Sequence, residues 1–190
     1  MNRQRLAMTT IGVLVLIIIG AALYYYFGPQ HRTMETASQS PIVGKAQVGQ
    51  PAPPFEVATT GGLFDLSKTT KPVFLEVFAT WCPHCQRETA VIDRLYHAYR
   101  SRVEFVGVSG SQTAMDGTSA SSQLDVLDWA RRFRASYPVA YDPLLNVANL
   151  YMQSGFPTIV IIGRDKRVAY TNSGELSYQE LAAAIDKVLR

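Results

Sequence analysis

The sequence predicts an α/β domain, a central and partly parallel sheet flanked by helices. Three observations point there. Residues 73–79 (Val-Phe-Leu-Glu-Val-Phe-Ala) are nearly continuous apolar sequence, as a strand covered on both faces requires. Beyond Trp81 the period changes to that of a helix, with Ile92, Leu95, Tyr96 and Tyr99 on one side. Strand and helix signals then alternate, the order that builds parallel strands. The 190 residues suit one ordinary domain plus an extra segment. With 47% hydrophobic and 17% charged residues, wholesale disorder is excluded. Two cysteines are too few for a disulfide-stapled mini-protein, or for a four-ligand zinc site by themselves. A formal charge of +3 is too small for an electrostatic nucleic-acid binder, so no such partner is expected.

The first segment stands apart from the domain. No Lys, Arg, Asp or Glu occurs between Arg5 and Arg32. The apolar run from about Leu6 to Phe27 is long enough to cross a ~30 Å hydrocarbon core as a helix. Arg3 and Arg5 precede it and keep the N-terminus cytoplasmic, while Tyr24, Tyr25 and Tyr26 suit the far interface. The expectation is a retained anchor over 1–27; the alternative is a signal peptide cleaved near Gly20-Ala21-Ala22. Both export the rest of the chain, so a single-pass membrane protein with an extracytoplasmic domain is expected. Residues 28–47 lack a hydrophobic period and read as a linker. The domain is expected over 48–190, enough for one well-buried core. Without Arg3 and Arg5, 16 basic residues face 15 acidic ones, so charge says little about partners.

Within the domain, residues 55–58 and 63–66 flank Gly61-Gly62 and predict a hairpin. The strand at 73–79 is followed by a helix from about Pro83 to Arg100, with proline in its first turn. Residues 103–108 predict a strand, 109–122 an exposed loop rich in Ser, Thr and Gly, and 124–133 a helix. A short extended piece at 137–141 leads to Asp142-Pro143, read as an N-cap and first helical residue of a helix reaching Gly155. Residues 158–162 and 168–171 predict a second hairpin. Ser177 and Glu180 form a capping box for the last helix, whose inner face is Leu181, Ile185, Val188 and Leu189.

The two cysteines lie together in Trp81-Cys82-Pro83-His84-Cys85, where the buried strand meets the helix start. Unpaired backbone N–H groups and the positive end of the dipole favour an anion there. The thiolate is the attacking species in disulfide exchange, so this placement activates Cys82. Cys85, one turn on, is close enough for a redox-active disulfide with it. His84 adds a donor, and a charge when protonated. The plainer alternatives are an inert bridge or half of a metal site. A bridge across two residues closes a tiny loop and constrains little of the unfolded chain. His31, His84 and His97 form no ligand cluster by spacing, so no metal and no cofactor is expected.

Several segments in order resemble the membrane-anchored, extracytoplasmic thioredoxin-like thiol–disulfide oxidoreductases of the TlpA/ResA type. They are Val48-Gly-Gln-Pro-Ala-Pro-Pro-Phe55, Phe78-Ala-Thr-Trp-Cys-Pro-His-Cys85, Tyr137-Pro-Val139 with Asp142, and Gly155-Phe-Pro-Thr158. The Pro-His pair between the cysteines is also what oxidising DsbA-type proteins carry. The resemblance implies a thioredoxin-like fold with an N-terminal hairpin and a central αβ insert. It implies a cis bond between Phe156 and Pro157 beside the cysteines, where Phe156 would present its backbone to a client chain. Glu76 interrupts the apolar strand and matches an acid that relays a proton to or from Cys85; the alternative is a structural acid paired with Lys71. Glu88 matches an acid bordering the site; alternatively it is a favourable charge near the helix start, or an i,i+4 partner of His84. Trp81 is expected to flank Cys82, and Tyr96, Tyr99 and Trp129 to be core.

The leading expectation is an exported, monomeric enzyme exchanging disulfides with protein thiols, in disulfide formation or cytochrome c maturation, served by a membrane or extracytoplasmic redox partner. A copper-handling protein using the dithiol as soft ligands is the first alternative, but no histidine follows His97. A peroxidase is the second, because residues 48–55 also resemble the start of peroxiredoxins. Those place Thr three residues before the reactive cysteine, where Ala79 stands here.

Overall fold

The computed structural model describes residues 16–21, 23–24 and 45–190. The chain divides into two units, Met1–Ile42 and Val43–Arg190. In the first, residues 16–21 and 23–24 are helical. Among the described residues no helix is long and apolar enough to cross a membrane. Most of the span expected over 6–27, and most of the linker expected over 28–47, lies outside the described residues.

The second unit is built on a seven-stranded sheet in the order β2-β1-β5-β4-β3-β6-β7. Its strands are β1 (Glu56–Thr59), β2 (Gly62–Asp65), β3 (Val73–Phe78), β4 (Glu104–Ser109), β5 (Val139–Tyr141), β6 (Thr158–Ile162) and β7 (Val168–Ser173). The helices are α1 (Pro83–Tyr99), α2 (Gln123–Phe133), α3 (Asn146–Tyr151) and α4 (Tyr178–Leu189). Strands β3, β4 and β5 run parallel, and β6 pairs antiparallel with β3. The two expected hairpins are present as β1–β2 and β6–β7.

Every residue of β3 is buried, which explains its unbroken apolar sequence. Successive side chains face opposite sides. Phe74 and Phe78 join one core with Ile92, Leu95, Trp129, Ile159, Ile161, Leu181 and Ile185, under α1, α2 and α4. Val73, Leu75 and Val77 join the other with Val147, Ala148, Tyr151, Val160 and Ile162, under α3. Phe78 stacks on Trp129 with ring centroids 4.1 Å apart. Fully burying one such large apolar side chain contributes about 1.5–3 kcal/mol. Glu76 shares the face of Phe74 and Phe78, so a carboxyl lies beneath the helix that carries the cysteines. The segment before β1 is tied in by Ala46 N–H, which donates to the Leu150 carbonyl at 2.8 Å.

Helix starts follow their sequence signals with one exception, and α3 also ends early, at Tyr151 rather than near Gly155. Ser177 and Glu180 form the expected capping box, a feature whose loss costs about 0.5–2 kcal/mol. The exception is Asp142-Pro143, where α3 starts later, at Asn146. Leu145 adopts φ 55°, a left-handed conformation that a continuous helix excludes. Residues 142–145 instead form a turn in which Leu145 N–H donates to the Asp142 carbonyl. Asp142 still serves the helix, its Oδ2 accepting from Val147 N–H at 2.7 Å.

Candidate active site

Strand β3 ends at Phe78, and four residues later Cys82 is the N-cap of α1, with Pro83 in the first turn. The proline supplies no N–H, at a position where none is needed. Cys82 Sγ accepts from Cys85 N–H at 3.5 Å, so a free amide of the first turn points at the sulfur. On the other side the Cys82 thiol meets the Phe156 carbonyl oxygen at 3.8 Å. The Phe156–Pro157 bond is cis, as the resemblance implies. Both cysteines are free thiols. Trp81 is 39% exposed and packs edge-on against Phe156, ring centroids 6.0 Å apart.

Cys85 faces inward, toward Glu76, and a second buried acid, Glu88, acts on Glu76. Glu76 is wholly buried, and its Oε2 accepts from the Tyr137 hydroxyl at 2.8 Å. Lys71 is not its partner, because that ammonium points at the Arg100 carbonyl. Burial pushes the Glu76 carboxyl up to about 8; the charge of Glu88 adds to this, and the Tyr137 bond opposes it. Glu88 is also buried, and its Oε1 accepts from Leu176 N–H at 2.7 Å. It is therefore neither a solvated charge of the helix start nor a partner of His84. Burial pushes it up to about 7, against the pull of the Leu176 amide. Glu76 Oε1 and Glu88 Oε2 are buried with no hydrogen-bond partner among the described residues. Burial first, and then the charge of Glu76, push the Cys85 thiol far above its usual range. A thiol this reluctant to ionise needs a base beside it to react at neutral pH.

His84 faces outward, where the loop after β7 meets it. Glu175 Oε2 lies 2.7 Å from Arg87 Nη2 and 3.1 Å from His84 Nδ1. Arg87 Nη2 also lies 2.7 Å from that same Nδ1. One ring nitrogen cannot serve both neighbours at once. Unprotonated, it accepts from Arg87; protonated, it donates to Glu175. Arg87, with His84 second, holds the Glu175 carboxyl below its ordinary range.

The loop expected to be exposed is in part a buried wall. Ser111, Ala114 and Ser121 are buried. Asp125, in the first turn of α2, gathers it: Oδ1 accepts from Met115 N–H, and Oδ2 from the Thr80 and Ser121 hydroxyls. Trp81 Nε1 donates to Ser111 Oγ at 2.8 Å, so the loop holds the indole beside Cys82.

The structure thus brings Cys82, Cys85, Glu76, Glu88, Trp81, Pro83, Phe156 and Pro157 together, with His84 on the outer rim. Sequence reasoning missed Arg87, Glu175, Asp125 and the role of Tyr137. Tyr137 stood in a quoted motif, but only folding joins it to Glu76, 61 positions away. Glu175, 91 positions from His84, carried no sequence signal.

With this geometry in place, similarity to known proteins becomes informative. The Redoxin family profile matches residues 47–188. The thiol-disulfide oxidoreductase ResA of Bacillus cereus is 26% identical over 194 residues, covering 99% of each chain. Its namesake from Geobacillus kaustophilus is 28% identical over 192 residues, covering 98% of each. Among solved structures, a candidate thiol:disulfide interchange protein DsbE from Chlorobium tepidum superposes with a TM-score of 0.67 at 24% identity. It covers 77% of this chain and 100% of its own. StoA from Bacillus subtilis gives 0.58 at 20%, over 71% and 97%. The two structures establish the thioredoxin-like fold. The enzyme class expected from the cysteines, thiol–disulfide oxidoreductase, is the one the sequence relatives carry. The chain belongs to the Redoxin family, as a thioredoxin-like protein of the TlpA/ResA type.

Proposed function

We propose that the chain is a membrane-anchored, extracytoplasmic thiol–disulfide oxidoreductase that reduces disulfides in client proteins. The observation that carries the reading is the asymmetry of the pair. Cys82 caps a helix and faces the Phe156 carbonyl beside the partly exposed Trp81, while Cys85 is fully buried against the Glu76 carboxyl. The Cys82 thiolate attacks a client disulfide, one client sulfur leaves as thiolate, and a mixed disulfide forms. Cys85 then passes its proton to the ionised form of Glu76, and the Cys85 thiolate attacks the Cys82 sulfur. The second client sulfur leaves with the electron pair, and Cys82–Cys85 is left oxidised. A membrane or extracytoplasmic donor reduces it again.

The direction rests on the TlpA/ResA resemblance and on Glu175. The resemblance points to clients such as apocytochrome c disulfides, reduced to the thiols that take haem. Arg87, and His84 when protonated, would by themselves favour a Cys82 thiolate and an oxidising disulfide; Glu175 offsets them. A reduction potential near ~−270 mV supports the reductant, and one near ~−120 mV overturns it. Client exchange itself is tested by trapping. Cys85→Ala is expected to hold export-compartment proteins through Cys82, and recovery of none would sink the reading.

A further inference from the structure

Glu76 is held in a way that the relay reading does not by itself explain. In the parallel ladder it stands opposite Gly107, and Gly107 stands opposite Val139. A Cβ on Gly107 would lie 3.0 Å from Tyr137 Cε2 and 3.4 Å from Phe78 Cε1. The glycine therefore opens a notch in the sheet face, and the Tyr137 ring fills it. From there the hydroxyl reaches Glu76 Oε2 at 2.8 Å, while Oε1 has no partner among the described residues. The carboxyl is pinned at one oxygen and free at the other.

We propose that Tyr137 is a positioning residue of the exchange reaction. Its hydroxyl fixes the Glu76 carboxyl, leaves the second oxygen for the proton that Cys85 releases, and keeps enough of Glu76 ionised to take it. This rests on the relay reading of Glu76. A hydroxyl donor favours carboxylate over acid. The groups that bear on Glu76 are burial, Glu88 and Cys85 from α1, and Tyr137 from the segment before β5. On β6 the facing residue is Ile159, which is apolar. Burial and Glu88 both oppose ionisation of Glu76, and Tyr137 opposes them. Tyr137 remains a donor throughout the working range, because burial pushes its own hydroxyl well above the ordinary value.

The full-length dithiol protein is mixed with dithiobis(nitrobenzoate), and the second release of nitrothiobenzoate reports Cys85 attacking the mixed disulfide on Cys82. Tyr137→Phe is expected to move the pH midpoint of that step up by about one unit. At neutral pH it slows the step about tenfold, and at high pH its rate rejoins the wild-type one. Gly107→Ala crowds the ring without removing the hydroxyl and is expected to give a smaller shift the same way, which keeps the test open if Tyr137→Phe folds poorly. A Tyr137→Phe profile superimposed on wild type overturns the proposal, as does equal slowing at every pH. Glu76→Gln separates the two layers. If it leaves the wild-type profile unchanged, the relay itself falls. If it abolishes the inflection while Tyr137→Phe changes nothing, the relay stands and the role of Tyr137 falls.

Discussion

Glu88 and Glu175 are almost neighbours in space and opposite in chemistry. The loop after β7 donates the amide of Leu176 to Glu88, and one residue earlier it presents the carboxylate of Glu175 to Arg87 and His84. Burial holds Glu88 up at about 7, whereas its partners hold Glu175 below the ordinary range. The same division runs through the cysteines. Cys82 meets a backbone amide and the Phe156 carbonyl, and Cys85 meets the buried Glu76, whose charge opposes its ionisation. One helical turn separates a side that works by exposed charge from a side that works by withheld charge. The inner side is costly to alter because nothing there screens a change; the outer is cheap because water and salt do.

The largest expected effects fall on the sulfurs and divide by side. Cys82→Ser is expected to abolish exchange and capture nothing. Cys85→Ala is expected to abolish turnover yet accumulate the mixed disulfide, seen as a client adduct on non-reducing gels. Equal capture by both variants would show that the pair is not divided into attacking and resolving thiols.

Next in size is a pH dependence of folding that belongs to the inner side alone. Glu76 and Glu88 have folded values of about 8 and about 7, above the unfolded 4.5. Between those limits the folded state holds more protons than the unfolded one. Their contribution is therefore fully present below about pH 4.5 and is lost as pH rises to about 8. The loss is on the order of a few kcal/mol, given the coupling of the two acids. Denaturant titrations of the full chain from pH 4 to 9 should show stability falling, and Glu76→Gln and Glu88→Gln should each flatten the slope. Stability that rises over that window would contradict the placement of both acids.

The wall that carries Trp81 comes third. Asp125 accepts from the hydroxyl of Thr80, which is fully buried. Asp125→Ala leaves that hydroxyl without its acceptor, at a cost of about 1–3 kcal/mol. It should also loosen Trp81, seen as a changed indole emission that Asp125→Asn largely restores. Unchanged emission in Asp125→Ala would mean that the indole is held without the loop.

The two sides were not equally legible in the sequence. Strand β3, the cysteine helix and the capping box at Ser177 were plain, because each is set by residues a few positions apart. Glu76 was conspicuous as a charge in an apolar run. Lys71, its alternative partner by sequence, is displaced, since sequence ranks partners by charge while burial selects a neutral hydroxyl from 61 positions away. The burial of Glu88 was illegible for a related reason. A carboxylate in a helix's second turn is ordinarily solvated, and only the docking of the loop before α4 covers this one. Asp142-Pro143 carried a sound local signal for a helix start, which Leu145 overrides with a left-handed turn.

Glu175 gives the smallest effect and tests the outer side most directly. Its carboxylate is more than one-third exposed, so the ion pair with Arg87 adds little to folding, and Glu175→Gln should melt as wild type does. Redox poise is more sensitive, because it compares two charge states of the nearby Cys82 sulfur. Removing the negative charge leaves Arg87, and His84 when protonated, uncompensated beside the helix start, which favours the thiolate and thus the dithiol form. A more stable dithiol is a more oxidising couple, so the reduction potential should rise, by on the order of 10 mV at low salt. At 1 M salt the Debye length falls to about 3 Å, and the difference should nearly vanish. Glu76→Gln offers the contrast, since its effects arise in a buried site and should persist at the same salt. A Glu175→Gln potential that stays put at low salt, or drops, would mean the outer charges do not reach the sulfur, and the division between the two sides would lose its electrostatic basis.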